Sequence, residues 1–169
     1  MASGTTTSPV SVVIDANVVI AICAKEADKL PAAEAQLRLY AGKGCQFFAP
    51  GVIVAECLFV FCRKLNDGVL SPADHGKALN NFITLMQSIH PPPSGDKSLI
   101  PRAEQIRAGL GCSRSADGIY LALADELSKT TSTEVITFDT SMPNQAKSSS
   151  VISAIVVLPT IPPPLPSGP

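Results

Sequence analysis

Hydrophobic positions along the chain follow two rhythms, and their alternation predicts the fold class. Residues 10–14 read V-S-V-V-I, a β-branched run that stops at Asp15, the pattern of a strand buried on both faces. Helical spacing follows over 15–27, and again over 31–41, where Pro31 is tolerated in a first turn and Gly42 and Gly44 end the pattern. Residues 46–49 predict a short strand. Pro50 then opens a long helix over 51–66, stopped by Asp67-Gly68. Ser71 and Pro72 supply a cap and a first-turn proline for a helix reaching residue 89, broken by Pro91, Pro92 and Pro93. Further helices are predicted over 97–108 and 115–129, the latter with Ile119, Leu123 and Leu127 on one stripe. Strands are predicted at 135–138, ending at Asp139, and at 153–158. Strands alternating with helices predict an α/β fold with a mostly parallel central sheet. In such sheets ligands sit at the carboxyl ends of the strands, the position Asp15 and Asp139 occupy.

Composition narrows the class. The chain has 169 residues, 46% hydrophobic and 16% charged, against about 25% charged in ordinary domains, so the body of the chain is no disordered segment. The longest nearly apolar run, 52–62, carries Glu56 and falls short of the about 18–20 residues a spanning helix needs. The expectation is a soluble, cytoplasmic protein with no membrane contact. It has one domain over 10–158, a flexible Ser/Thr-rich leader over 1–9 and a proline-rich disordered tail over 159–169. A net charge of −1 offers no general case for nucleic-acid binding, so any such case is local. Five cysteines without a C-x-x-C pair read as small reduced hydrophobes. No G-x-G-x-x-G or G-K-[ST] occurs, and His75 and His90 stand apart from any nucleophile. A phosphoacceptor domain would need a lysine after a late strand, and Lys147 lies eight residues past Asp139.

Four acids carry the chemistry. Asp15 closes a strand, where an aspartate also serves as a helix cap. Glu56 lies in V-I-V-A-E-C-L-F-V-F-C, where a buried carboxylate must be paired, protonated or metal-associated. Its charged neighbours Arg63 and Lys64 are seven and eight positions away, beyond one helical turn. Asp117 sits in a first helical turn, which the macrodipole favours unaided, and Asp139 precedes Thr140 and Ser141 as a turn acid would. Converging at one sheet edge, such a set would repel unless it shares protons or holds divalent cations. Mg²⁺ and Mn²⁺ suit all-oxygen ligands and leave waters for a phosphate substrate.

The segments V-V-I-D-A-N-V-V-I (12–20), A-P-G-V-I-V-A-E (49–56), R-S-A-D-G-I-Y-L-A-L-A (114–124) and V-I-T-F-D (135–139) resemble the PIN domain family, and within it the VapC-type toxin ribonucleases. The resemblance spans residues 10–158 and implies an α/β/α sandwich around a short parallel sheet. It implies Asp15, Glu56, Asp117 and Asp139 as the catalytic, metal-binding quartet, with Asp15 and Asp117 the principal ligands of Mg²⁺ or Mn²⁺. Glu56 would ligate or position water, Asp139 would complete the site, and Asn17 and Thr137 would support the first and last acids. The implied activity is a metal-dependent endoribonuclease, the toxin of a toxin–antitoxin pair. Arg114 would be the first candidate for the RNA phosphate, with Arg63, Lys64, Arg102 and Arg107 behind it, and so few cations predict a modest salt slope. A homodimer and a cognate antitoxin protein are implied partners, and the helix over 51–66, apolar on more than one face, suits them. The alternative is a non-catalytic PIN scaffold that binds RNA or a partner protein. The S-K-T-T-S-T stretch (128–133) reads as a loop longer than the family pattern, and the proline-rich tail lies outside it.

Overall fold

The β-branched run near the start of the chain becomes the middle of the sheet. The computed structural model describes residues 10–109 and 115–161. In order, these form β1 (Ser11–Ile14), α1 (Ala16–Cys23), α2 (Leu30–Gly42), β2 (Gln46–Phe48), α3 (Val52–Asn66), α4 (Pro72–Met86), β3 (Ile89–His90) and α5 (Asp96–Gly109). They continue with α6 (Ser115–Ser128), β4 (Thr133–Thr137), α7 (Met142–Ser148) and β5 (Ala154–Val157). The strands pair in parallel in the order β3-β2-β1-β4-β5. The chain thus winds outward from β1 to β3, then returns to the other side of β1 and winds outward again. Right-handed crossovers in opposite directions place their helices on opposite faces. Accordingly α1 packs with α2, α3 and α4, while α5 packs along α6 and α6 lies on β1 and β4. The architecture is the expected α/β/α sandwich.

Several elements differ from expectation. Residues up to 89 read as helix, but α4 stops at Met86, and Ile89 and His90 turn into an edge strand beside Phe47 and Phe48. Two residues are too few to show a strand period. The short helix α7, M-P-N-Q-A-K-S, was not expected either; Met142, Gln145 and Ala146 are its buried residues, too few to mark a helical stripe. The first helix also ends early, at Cys23, because Lys25 takes a left-handed backbone with φ of 53°. The S-K-T-T-S-T stretch is a loop over 129–132, between α6 and β4, and it is tied down. Helix α6 runs through Ser128, and the Thr131 hydroxyl bonds Leu127 O at 3.2 Å and the Ser11 hydroxyl at 2.9 Å.

Burial explains which positions are fixed. Val12, Val13, Val18, Val19, Leu121 and Leu123 are wholly buried between the layers, each contributing about 1.5–3 kcal/mol of transfer free energy. Gly118 lets α5 approach α6, since a Cβ there would meet Ala103 O at 3.1 Å. Helix α3 buries only Ile53, Cys57 and Phe61, and leaves Val54, Leu58 and Phe59 exposed. Past β5, Ile161 N bonds Asp28 O at 2.7 Å. Among the described residues, no helix is long and apolar enough to cross a membrane.

Candidate active site

The sheet order fixes where the site must be. Winding reverses between β1 and β4, and the crevice beyond their carboxyl ends is the topological switch point, where open α/β sheets bind ligands. Ile14 pairs with Ile136, so Asp15 stands beside Thr137 and Asp139 lies just beyond. Asp15 begins α1, yet its side chain makes no capping bond. Its Oδ2 instead accepts from the Thr137 hydroxyl at 2.5 Å and from Asn17 Nδ2 at 2.7 Å. Asn17 also donates to Thr137 Oγ1 at 3.0 Å and accepts from Phe138 N at 3.0 Å. The supporting residues expected from sequence therefore clamp the ends of β1 and β4 together. Asp139 N donates to Thr137 Oγ1, and Asp139 Oδ1 accepts from Ser141 N and the Ser141 hydroxyl at 2.7 and 2.6 Å.

The other two acids arrive from helices. Glu56 on α3 accepts from the Tyr120 hydroxyl of α6 at 2.7 Å. Among the described residues no cation pairs with it: Lys64 pairs with Glu26 at 2.7 Å and Arg63 lies 3.9 Å from Asp67. Asp117, in the first turn of α6, accepts from Gln145 Nε2 at 3.0 Å. Gln145, on α7, also donates to Ser141 Oγ at 3.0 Å, so a single amide links Asp117 to the turn that holds Asp139. It is 4% exposed, and its Oε1 is a buried acceptor without a partner among the described residues. Nothing in the sequence pointed to Gln145 or to Tyr120 as part of the site.

Asp15, Asn17, Glu56, Asp117 and Asp139 line one pocket of about 310 Å³. Burial, reinforced by the charges of Asp117 and Glu56, raises the Asp15 carboxyl to about 7 despite the Thr137 bond. Burial and Asp117 likewise raise Glu56 above the usual carboxylate range, against the Tyr120 bond. Burial pushes the Tyr120 phenol far up, so it stays a proton donor to Glu56. One oxygen of each acid is thus held by a protein donor, which fixes its direction as supporting partners do in metal sites.

All-oxygen donors, a buried orphan acceptor and mutually repelling carboxylates fit a hard divalent cation. Among the described residues no three His, Cys, Asp or Glu side chains converge closely enough to hold an ion by themselves. The expected phosphate-binding cations are mostly engaged elsewhere. Arg102 pairs with Asp125 at 2.6 Å and bonds Ser149 O, and Arg107 pairs with Glu104 at 2.8 Å. Arg114 lies outside the described residues.

A family model for the PIN domain matches residues 12–148. The chain belongs to the PIN domain family. Among solved structures it is similar to a chain in the crystal structure of VapBC2 from Rickettsia felis bound to a DNA fragment from their promoter. The two share 10% identity and a TM-score of 0.60, over 88% of this chain and 98% of that one, a likeness of fold. No curated protein matches it in sequence.

Proposed function

We propose that this PIN domain is a divalent-metal-dependent endoribonuclease of the VapC toxin type. One observation carries the reading: carboxylates from the ends of β1 and β4 and from two helices meet in a single pocket at the switch point, each anchored by a neutral donor. A non-catalytic scaffold has no use for Glu56, which lies on a largely apolar helix and is held there by a tyrosine hydroxyl. Asp15 and Asp117 would hold Mg²⁺ or Mn²⁺, with Asp139 completing the set. The bound ion would supply Lewis acidity toward phosphoryl oxygen and make water a stronger nucleophile near neutral pH.

The residues do the rest. Thr137 and Asn17 keep Asp15 aimed into the pocket. Glu56, with its raised proton affinity, positions the attacking water and takes its proton as the new P–O bond forms. The opposite P–O bond then breaks, the leaving oxygen takes a proton from solvent water, and Glu56 returns its proton to solvent. The neighbour's antitoxin complex and the exposed Val54 and Leu58 of α3 support a protein partner on that helix, either a second copy or an antitoxin.

The test is cleavage of a mixed RNA pool with Mn²⁺ by wild type, Asp15→Asn and Asp117→Asn. Metal-dependent cleavage by wild type alone is expected. Equal cleavage by all three would remove the site, and RNA or protein binding without cleavage would leave the scaffold reading.

A further inference from the structure

The rim of the carboxylate pocket carries a side chain that neither the core nor the acids account for. All eight aromatic side chains lie within the described residues; seven are buried or half-buried, and Phe59 is 64% exposed. Phe59 lines the same pocket as the four acids. At 3.6 residues per turn, it sits about 60° round α3 from Glu56 and nearly one turn further on. Arg63, two turns past Glu56, returns to within about 20° of its line. Glu56, Phe59 and Arg63 therefore form one stripe of carboxylate, ring and guanidinium leading out of the pocket. The Arg63–Asp67 contact is 3.9 Å long between side chains that are 67% and 60% exposed, too weak to hold the guanidinium back. Leu58 and Val54 lie about 100° and 140° round from Phe59, so a protein on that edge would leave the stripe open.

Charge decides what the stripe is for. The described residues lining the pocket include four acids and neither lysine nor arginine, so they repel a phosphate backbone. A contact indifferent to phosphate charge adds affinity there. Stacking on an aromatic ring is such a contact, and it accepts any base whose face is free. Bases in a duplex have no free face.

We propose that Phe59 is a stacking platform for one unpaired base beside the scissile phosphate, with Arg63 contacting the next phosphate outward. This rests on the nuclease reading above and adds the side chains that receive the base and the next phosphate.

The chain contains no tryptophan, so Phe59→Trp installs a single reporter at the stripe. In a Glu56→Gln background with Mn²⁺, a mixed-sequence oligoribonucleotide should quench its emission. The same strand annealed to its complement should need about tenfold more RNA. With cleavage restored, Phe59→Ala should raise KM about tenfold with kcat little changed, Phe59→Tyr should restore KM, and Arg63→Gln should lower the salt slope by roughly 0.7. Unquenched emission while wild type still cleaves RNA overturns the platform and leaves the nuclease reading standing. Emission that shifts on diluting the protein without RNA places Phe59 between two copies of the chain, which also overturns it. Absence of metal-dependent cleavage by wild type removes the nuclease reading, and the platform with it.

Discussion

At the scale of single residues, the site turns on a buried carboxylate kept usable by neutral donors. Asn17 and Thr137 were legible because each stands two residues from an acid at a strand end, and the structure shows both bonded to Asp15. Asp15 does stand at the N-cap of α1, but the clamp takes its Oδ2 across to β4 instead of into a side-chain cap. The Thr137 bond favours the charged form of Asp15, so its value depends on pH. Thr137→Val in EDTA should cost about 1–3 kcal/mol at pH 8, roughly 2–12 °C in Tm. The loss should shrink at pH 5, where Asp15 is mostly protonated. Thermal unfolding at the two pH values decides; an equal loss at both would mean that the hydroxyl serves packing rather than charge.

At the scale of elements, legibility followed the strength of the pattern. Helix α3 was readable from its apolar run, and so was the oddity of Glu56 within it. Its partner was not: the nearest cations in sequence, Arg63 and Lys64, lie beyond one helical turn, and Tyr120 reaches Glu56 from α6, a contact that only the crossing of two helices creates. Helix α7 is the larger omission, since its few apolar residues hid Gln145 with it. Gln145→Met keeps the volume and removes both donations as well as the orphan acceptor. Loss of a partner that orients a ligand typically costs 10–100-fold in metal affinity. Calorimetric titration should therefore show Mn²⁺ binding weakened by about tenfold or more, with the EDTA-state Tm little changed; unchanged affinity would make Gln145 a packing residue only. Glu56→Gln should abolish cleavage without lowering the EDTA-state Tm, because it removes a raised, repelled carboxylate. A clear drop in Tm would instead make Glu56 a structural member of the fold.

At the scale of the whole molecule, the alternating pattern announced a parallel α/β sheet, but not its order. Strand order depends on crossovers that no local spacing records, and the two-residue β3 carries no signal of its own. What the order creates is a single crevice loaded with like charge from four elements, and this couples folding to pH and to metal. Asp15 is held near 7 when folded, against 3.8 for the free side chain. Its raised affinity therefore stabilises the fold fully below about pH 4, and that contribution is lost as pH climbs to 7. The loss is roughly 4 kcal/mol at most, or about 8–16 °C in Tm, and Glu56 shifts in the same direction. Without metal, then, the protein should melt progressively lower from pH 4 to pH 8. A cation that binds only the folded, ionised site opposes this trend: at a hundredfold excess over its Kd it returns about 2.7 kcal/mol, and most at high pH, where no proton has to leave. Asp15→Asn should flatten the pH profile, melt above wild type at pH 8 in EDTA, and gain little from Mn²⁺. If wild type melts identically with and without Mn²⁺ at pH 8, the crevice holds no such ion, and its charge is relieved by protons alone.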